Sequence, residues 1–479
     1  MRWRLVAALL FCAVAAHAAD TPEAAKVAGW VRALPAVAPD DAFFGVLGGV
    51  SMTSVGPGEQ FIRSSGPAAF YDNASLLAQG VDILRQRSAY AATLVAADNA
   101  WFRDVQNVPW GLIEVAPGRY QWELLDAAVK SVQAAGGRYV GTVMPYAGWE
   151  LRAAGYAPTS DAQCQRLFTE DFFYLAADQR MDRYKDEAAY VRFLTAAVER
   201  YDGDGVDDMP GLAAPVMYWQ IHNEPEGDHC GLYRGAEAAF VRHMRISREA
   251  VAAACAQCRV LNGGAAAPLF KENQIPALGG INFWRNYASL GGAPYIDVIA
   301  VHYNQGKDPD HGNVADFEYQ IRRARELLGS AKPVWVTEFG VVIGDHGNFK
   351  GLTETQAAAW FVRMYAAGLA AGASRFFSDA PAFVELNGQT YLPYYVNKLV
   401  QAKLGGFTSA VKIGDGQYRF GANGRDVYVL WSGVPASLTG SVIATDFYGN
   451  QTLTDASQLA PAEGAPLFVE TLPARRRAR

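Results

Sequence analysis

Val216-Met-Tyr-Trp-Gln-Ile-His-Asn-Glu-Pro-Glu-Gly227 decides the fold. Its first half is apolar and aromatic, the texture of a buried strand, and it stops at Asn223-Glu224-Pro225. Proline cannot donate to a sheet ladder, so a strand that ends on a glutamate and then meets proline sets that carboxylate at the rim of the sheet. Pro333-Val-Trp-Val-Thr-Glu338-Phe-Gly340 delivers a second glutamate in the same way. If both strands belong to one closed barrel, Glu224 and Glu338 share a rim, and a carboxylate pair there suits glycosidic bond cleavage.

Working outward, strands and helices alternate on both sides of this stretch. Upstream, strand candidates lie at 43–51, at 92–97 continuing into 101–104, and at 138–144. Helical spacing covers 74–87, 122–135 and 186–201, and Gly136-Gly137 supplies a helix stop. Downstream, helices at 236–254, 281–290, 314–328 and 354–371 alternate with strands at 259–262, 296–302, 334–338 and 374–378. The strands are near-continuous apolar runs, as a parallel sheet covered on both faces requires. Eight such repeats predict an α/β fold, a (β/α)8 barrel spanning 43–398. An open doubly wound sheet is the alternative, and no glycine-rich phosphate loop follows the first strand to favour it.

Past residue 400 the pattern changes to period-2 alternation at 412–420, 426–432 and 441–447, with Gly-Asp-Gly, Asn-Gly and Tyr-Gly-Asn turns. This predicts a small antiparallel β-domain over 399–473. A basic tail follows at 474–479, and an Ala/Pro-rich segment with a short helix around 22–34 occupies 19–42.

The 479 residues are 51% hydrophobic and 19% charged, which places the chain among globular proteins. Arg2 and Arg4, an apolar run over 5–16 and Ala16-His17-Ala18 read as a signal peptide of residues 1–18. Export to the periplasm or beyond is therefore expected. The run is too short to span a membrane, and Phe11 before Cys12 argues against lipidation. Loss of two arginines and no acid takes the net charge from −6 to −8, without a basic stripe, so nucleic acid is not an expected partner. Cys164, Cys230, Cys255 and Cys258 remain. A 255–258 bridge with a 164–230 bridge, or four free thiols, are both open. Cys255-Ala-Gln-Cys258 lacks the second ligand pair that a zinc site needs.

Strand ends give the candidate site: Arg103 and Asp104 with Trp110, then Tyr146 and Trp149, Asn223 and Glu224, His302 and Tyr303, Glu338, and Phe377-Ser378-Asp379. Aromatic rings for sugar faces and hydrogen-bonding groups for hydroxyls converge here. Glu226 reads as a solvated loop acid, His222 as a satisfied core residue and Glu114 as a structural carboxylate. Trp110, Tyr146 and Trp149 divide between packing and sugar platforms.

With Phe102-Arg103, Ile113-Glu114, Gly118-Arg-Tyr-Gln-Trp122, Trp219, Asn223-Glu224-Pro225, His302-Tyr303 and Thr337-Glu338-Phe-Gly340, the sequence resembles the retaining glycoside hydrolases of clan A, nearest to families 39 and 5. The resemblance spans 43–385. It implies Glu224 as acid/base, Glu338 as nucleophile, Asn223 on the sugar's 2-hydroxyl, Arg103 beside Glu338, and Tyr303 or His302 donating to the nucleophile. It implies a carbohydrate substrate with a β-linkage and no metal or cofactor. His222 stands where a large apolar residue is frequent. Strand eight ends on Asp379 without the tryptophan many family 5 members carry there. A transglycosylase or an enzyme acting on the producing cell's own exopolysaccharide uses the same site. A non-catalytic carbohydrate-binding barrel is the rival from another class. No Gly-x-Ser-x-Gly elbow and no His-Glu-x-x-His pair is present.

Overall fold

The computed structural model describes residues 19–50, 74–105, 107–155, 186–226, 233, 235–266, 280–304, 314–344 and 351–472. The expected signal peptide, Cys164, Cys230, most of the 147–185 insertion, Asp345-His346 and the basic tail lie outside the described residues.

Eight parallel strands form the barrel wall: β1 Phe44–Leu47, β2 Asn99–Arg103, β3 Arg138–Met144, β4 Tyr218–Ile221, β5 Arg259–Leu261, β6 Ile299–Asn304, β7 Val334–Gly340 and β8 Ala373–Asp379. Each is followed by a helix: α1 Ala74–Val95, α2 Glu123–Ala134, α3 Glu187–Glu199, α4 Glu237–Ala254, α5 Gly280–Ser289, α6 Val314–Leu328, α7 Glu354–Ala371 and α8 Leu392–Leu404. The order around the sheet is β5-β4-β3-β2-β1-β8-β7-β6. Single bridges from Leu261 to Val298 and from Ala265 to Val301 join its two ends.

Two seams of this wall are stitched by buried asparagines. Asn262 takes the amide of Ala300 at 2.7 Å and gives its own to the Ala300 carbonyl at 2.9 Å, closing β5 on β6. Asn107 does the same between β2 and β3, accepting from Thr142 and donating to Val140. A carboxamide offers one acceptor and one donor side by side, so it substitutes for a peptide unit of the ladder.

The barrel axis is filled by side chains on the inward positions. Trp101, Val140, Leu261, Ala300, Trp335 and Phe377 form one buried cluster there, with Tyr218 against it. Trp335 lies 4.5 Å from Tyr218 and 5.4 Å from Trp101, ring centre to ring centre. Such a crowded layer fits only because β1 carries Gly45 at this level. A β-carbon there would sit 2.6 Å from the Trp101 carbonyl and 2.7 Å from the Phe377 ring.

The helix and strand order agrees with the sequence reading, with three differences. Residues 92–95, read as the start of the second strand, are the last turn of α1, and β2 begins at Asn99. Leu84, Ala91 and Leu94 are buried, and Leu77 and Val81 pack against the core, so the helical stripe of 3–4 spacing runs through that apolar stretch. Second, 412–420 is not one strand, because Asp415-Gly416 turns it into a hairpin of β9 Ser409–Gly414 and β10 Gln417–Ala422. Third, α8 crosses residue 398, where the sequence reading divided barrel from β-domain. Helix α7 begins at the expected residue for a visible reason: Thr353 and Gln356 form a reciprocal capping box.

The β-domain is one antiparallel sheet, completed by β11 Arg425–Leu430, β12 Ser441–Thr445, β13 Gln451–Asp455 and β14 Leu467–Thr471, in the order β9-β10-β11-β14-β12-β13. Polar pins hold it to the barrel. Glu318 of α6 accepts from Tyr418 at 2.7 Å and Lys412 at 2.9 Å. Lys403 of α8 pairs with Glu470 of β14, both buried. The 19–42 segment carries the expected helical turns, at Ala24–Lys26 and Gly29–Arg32, and straps both parts. Trp30 donates to the Gly449 carbonyl of the β-domain, and the Val37 amide donates to Asp98 beneath β2.

Removing one member of a buried ion pair strands the other, so Glu470→Ala is expected to lower unfolding free energy by about 3–5 kcal/mol in a denaturant titration. Lys403→Met combined with Glu470→Leu removes both charges and is expected to recover most of that loss.

Candidate active site

One layer above the aromatic plug, inward positions turn polar. Arg103 stands two residues beyond Trp101, His302 two beyond Ala300 and Asp379 two beyond Phe377, as strand alternation demands. On β7 the same rule would bring Thr337 inward after Trp335. The strand breaks the rule: Val336 pairs with Val301 but Glu338 pairs with His302, so β7 carries one extra residue at Thr337. This bulge turns Glu338 onto the inward face and frees the Thr337 carbonyl.

Arg103 uses both. Its Nη1 donates to Glu338 Oε1 at 2.8 Å and to the Thr337 carbonyl at 3.2 Å. Nη2 donates to Asn223 Oδ1. Arg103 is buried, and the Glu338 side chain is 10% exposed, so the pair forms the floor of the site.

Glu224 belongs to the opening. Its side chain is 39% exposed, and its Oε1 lies 2.8 Å from His302 Nδ1. The same nitrogen lies 3.6 Å from Glu338 Oε1. Nδ1 thus sits between the two carboxyl groups. The other edge of the ring, Nε2, is buried against Gly264, where a β-carbon would fall 1.9 Å from it. Gly264 also has φ of +75°, so both its space and its backbone call for glycine.

The end of β4 is strained. His222 and Glu224 have φ of +72° and +46°, left-handed values that side chains adopt rarely and at a cost of about 1–3 kcal/mol each. The surroundings hold them there. The His222 amide donates to Val143 and the Glu224 amide to Gly263. The His222 ring accepts the Asn223 amide on Nδ1 at 2.7 Å and meets the Tyr146 hydroxyl with Nε2. Burial pushes the His222 pKa down to about 4, against a weaker opposing pull from the backbone at Asn223. The ring is therefore neutral and fixed.

The structure brings together Arg103, Asn223, Glu224, His302 and Glu338. It does not bring Tyr303, Trp110 or Trp149 to them as expected. Tyr303 alternates to the outer face of β6 and packs against Phe317 of α6, ring centres 4.7 Å apart, because His302 takes the inward position. Burial raises the pKa of its hydroxyl. Trp110 is fully buried against Trp149, Tyr190 and Phe193, with its indole N–H on Glu114, so it presents no face to a sugar. Trp149 is half-buried and gives its N–H to the Glu114 carbonyl. Glu226, read as solvated, is buried and accepts the Ala266 amide. Sequence reasoning missed Gly264 and the Thr337 bulge; the first is visible only as a Gly-Gly pair after a strand, and the second leaves no signal in composition.

Glu224, His302 and Glu338 present three ligand-type atoms all within 4.8 Å of one another. The Arg103 guanidinium already pairs with Glu338 Oε1, which favours a carboxylate pair bridged by an imidazole over a cation site.

Residues 256–369 match the family model described as the glycosyl hydrolase catalytic core. Among solved structures, a family 39 glycoside hydrolase from the gut symbiont Bacteroides cellulosilyticus WH2 superposes with a TM-score of 0.53 at 16% identity, over 81% of this chain and 79% of that one. In fold and in this segment, the chain is similar to the glycosyl hydrolases. A monomeric beta-xylosidase from Caulobacter crescentus CB15 (TM-score 0.48, 12% identity, 94% and 98% covered) and a glucosidase from Croceicoccus marinus (0.46, 12%, 82% and 92%) also align. No curated protein sequence matches. Among the described residues, no helix is long and apolar enough to cross a membrane.

Within this glycosyl hydrolase-like barrel, Gly264→Ala is expected to displace the His302 ring. Soluble protein with a lowered melting temperature and activity reduced at least roughly tenfold is the expected outcome, in line with a misplaced site group. His222 makes a separate prediction. Its folded pKa lies below the ordinary 6.5, so its contribution to stability is full above pH 6.5 and is lost as pH falls towards 4. Urea titrations at pH 4.5 and 7.5 should show a smaller pH-dependent loss in His222→Gln than in the parent protein.

Proposed function

We propose that the chain is an exported glycoside hydrolase that cleaves a β-linked glycan by double displacement with retention. One observation carries this reading: the facing carboxylate oxygens of Glu224 and Glu338 come within 4.8 Å, one group on the floor and the other at the opening. Retaining enzymes hold the two carboxyl groups roughly 5–5.5 Å apart, whereas inverting ones leave about 6.5–9.5 Å for a water molecule.

Glu338, ion-paired with Arg103, is the group disposed to attack the anomeric carbon. As that bond forms, Glu224 passes its proton to the leaving oxygen and the aglycone departs. The glycosyl ester on Glu338 is then cleaved by water, whose proton goes to Glu224, and Glu338 leaves as carboxylate. Asn223 has its carbonyl oxygen committed to Arg103, which turns its amide N–H groups towards the sugar's 2-hydroxyl. His302 spans both carboxylates and keeps their spacing. Export is supported by the leader-like residues 1–18 and by the Cys255–Cys258 disulfide, a bond at home in oxidising compartments.

The test is intact-protein mass spectrometry after exposure to 2-deoxy-2-fluoro β-glycosides with activated leaving groups. The expected result is an adduct on Glu338, absent in Glu338→Gln. Glu224→Gln is expected to lose about 10²–10⁴-fold in kcat with an unactivated glycan and much less with an activated leaving group, because only the former needs the acid. Either variant turning over a glycan at the parent rate would sink the assignment.

A further inference from the structure

Asp379 is a third carboxyl at the rim, and the double displacement makes no use of it. It ends β8 on the inward side, one level above Phe377. Leu47 of β1 pairs with both Asp379 and Arg103, so these residues stand at one height. Gly340 on β7 leaves room beside it: a β-carbon there would lie 3.2 Å from Asp379 Oδ2. The side chain is half-buried, and no described residue donates a hydrogen bond to it.

The position fixes which part of a substrate it meets. Resting on the roles of Glu224 and Glu338 proposed above, the scissile bond lies between those two carboxyls. Going round the barrel, Glu224 just past β4 precedes His302 on β6 and Glu338 on β7, and Asp379 follows on β8. It therefore flanks the nucleophile on the side away from the acid, where the sugar that becomes esterified must sit. Aromatic stacking is not on offer at this strand end; a carboxyl is.

We propose that Asp379 selects this sugar, binding hydroxyls of an uncharged glycone and rejecting one that bears a carboxylate. The charges around it support this. Burial first, then the charges of Glu338 and Asp104, push its pKa up to about 7. Arg103, the neighbouring cation, is committed to Glu338 and Asn223. In its protonated form the carboxyl offers one donor and one acceptor, which matches two adjacent hydroxyls. A uronate placed here would meet carboxyl oxygens beside an arginine already paired with Glu338, and like-charge contacts in a partly desolvated site are strongly unfavourable.

The experiment compares paired aryl β-glycosides that differ only at C6, hexoside against hexuronide, in the gluco, galacto and manno series, for the parent protein and Asp379→Asn. The readout is the hexoside-to-hexuronide ratio of kcat/KM, which cancels any difference in folded fraction. The parent is expected to prefer the hexoside by 100-fold or more. Asp379→Asn keeps a donor and an acceptor but removes the charge, so it is expected to hold the hexoside value within roughly threefold and to narrow the ratio at least tenfold by gaining on the hexuronide. A parent that prefers the hexuronide, or a ratio unchanged in Asp379→Asn, overturns the proposal while leaving the glycosidase reading intact. A parent that neither turns over nor is labelled on Glu338 by any glycoside in either series overturns both.

Discussion

A guanidinium sealed inside a barrel dictates much of what surrounds it. Arg103 is buried, and an isolated charge in such a place costs many kcal/mol unless it is paired and hydrogen-bonded. Its partners come from strands far apart in sequence: a carboxylate and a carbonyl from β7 and an amide oxygen from the end of β4. Satisfying one side chain therefore aligns three strands of the wall. The bulge at Thr337 follows from this demand, since a regular β7 would turn Glu338 away and leave the Thr337 carbonyl in the ladder.

Beneath that layer, the plug of Trp101, Tyr218, Trp335 and Phe377 gives the polar groups a stiff base. Large rings in close contact leave few alternative packings, and the strand ends inherit their heights from them. Above it, the chain accepts strain at His222 and Glu224 where Asn223 and Glu224 meet their partners. Rigidity below and strain above are two sides of one arrangement, because unfavourable backbone persists only where its neighbours over-determine it.

Much of this is legible in the sequence. Apolar runs that end in Arg103, Asn223-Glu224, His302 and Glu338 announce both the barrel and the polar ring at its mouth, because each polar residue interrupts a pattern otherwise dictated by burial. The unreadable parts depend on register. Choosing His302 over Tyr303 requires knowing that Ala300 points inward. Placing Glu338 requires a bulge that no residue type marks. Trp110 and Glu226 look like loop residues, and only the packing around Glu114 and the Ala266 amide shows that both are interior. Residues 92–95 illustrate the older ambiguity, in which a short apolar run fits a strand or a helix equally well.

The asparagine seam between β5 and β6 gives the barrel an ageing site. Asn262 is followed by Gly263, the pair in which a backbone amide most easily attacks the side-chain carbonyl and expels ammonia. The aspartate left behind has no amide hydrogens. An oxygen would then face the Ala300 carbonyl, which now receives a hydrogen bond at 2.9 Å. Acceptor against acceptor, the wall would loosen at the strand that carries His302 and beside the Glu224 anchor on Gly263. The compactness that buries Asn262 is thus also what keeps that chemical clock slow.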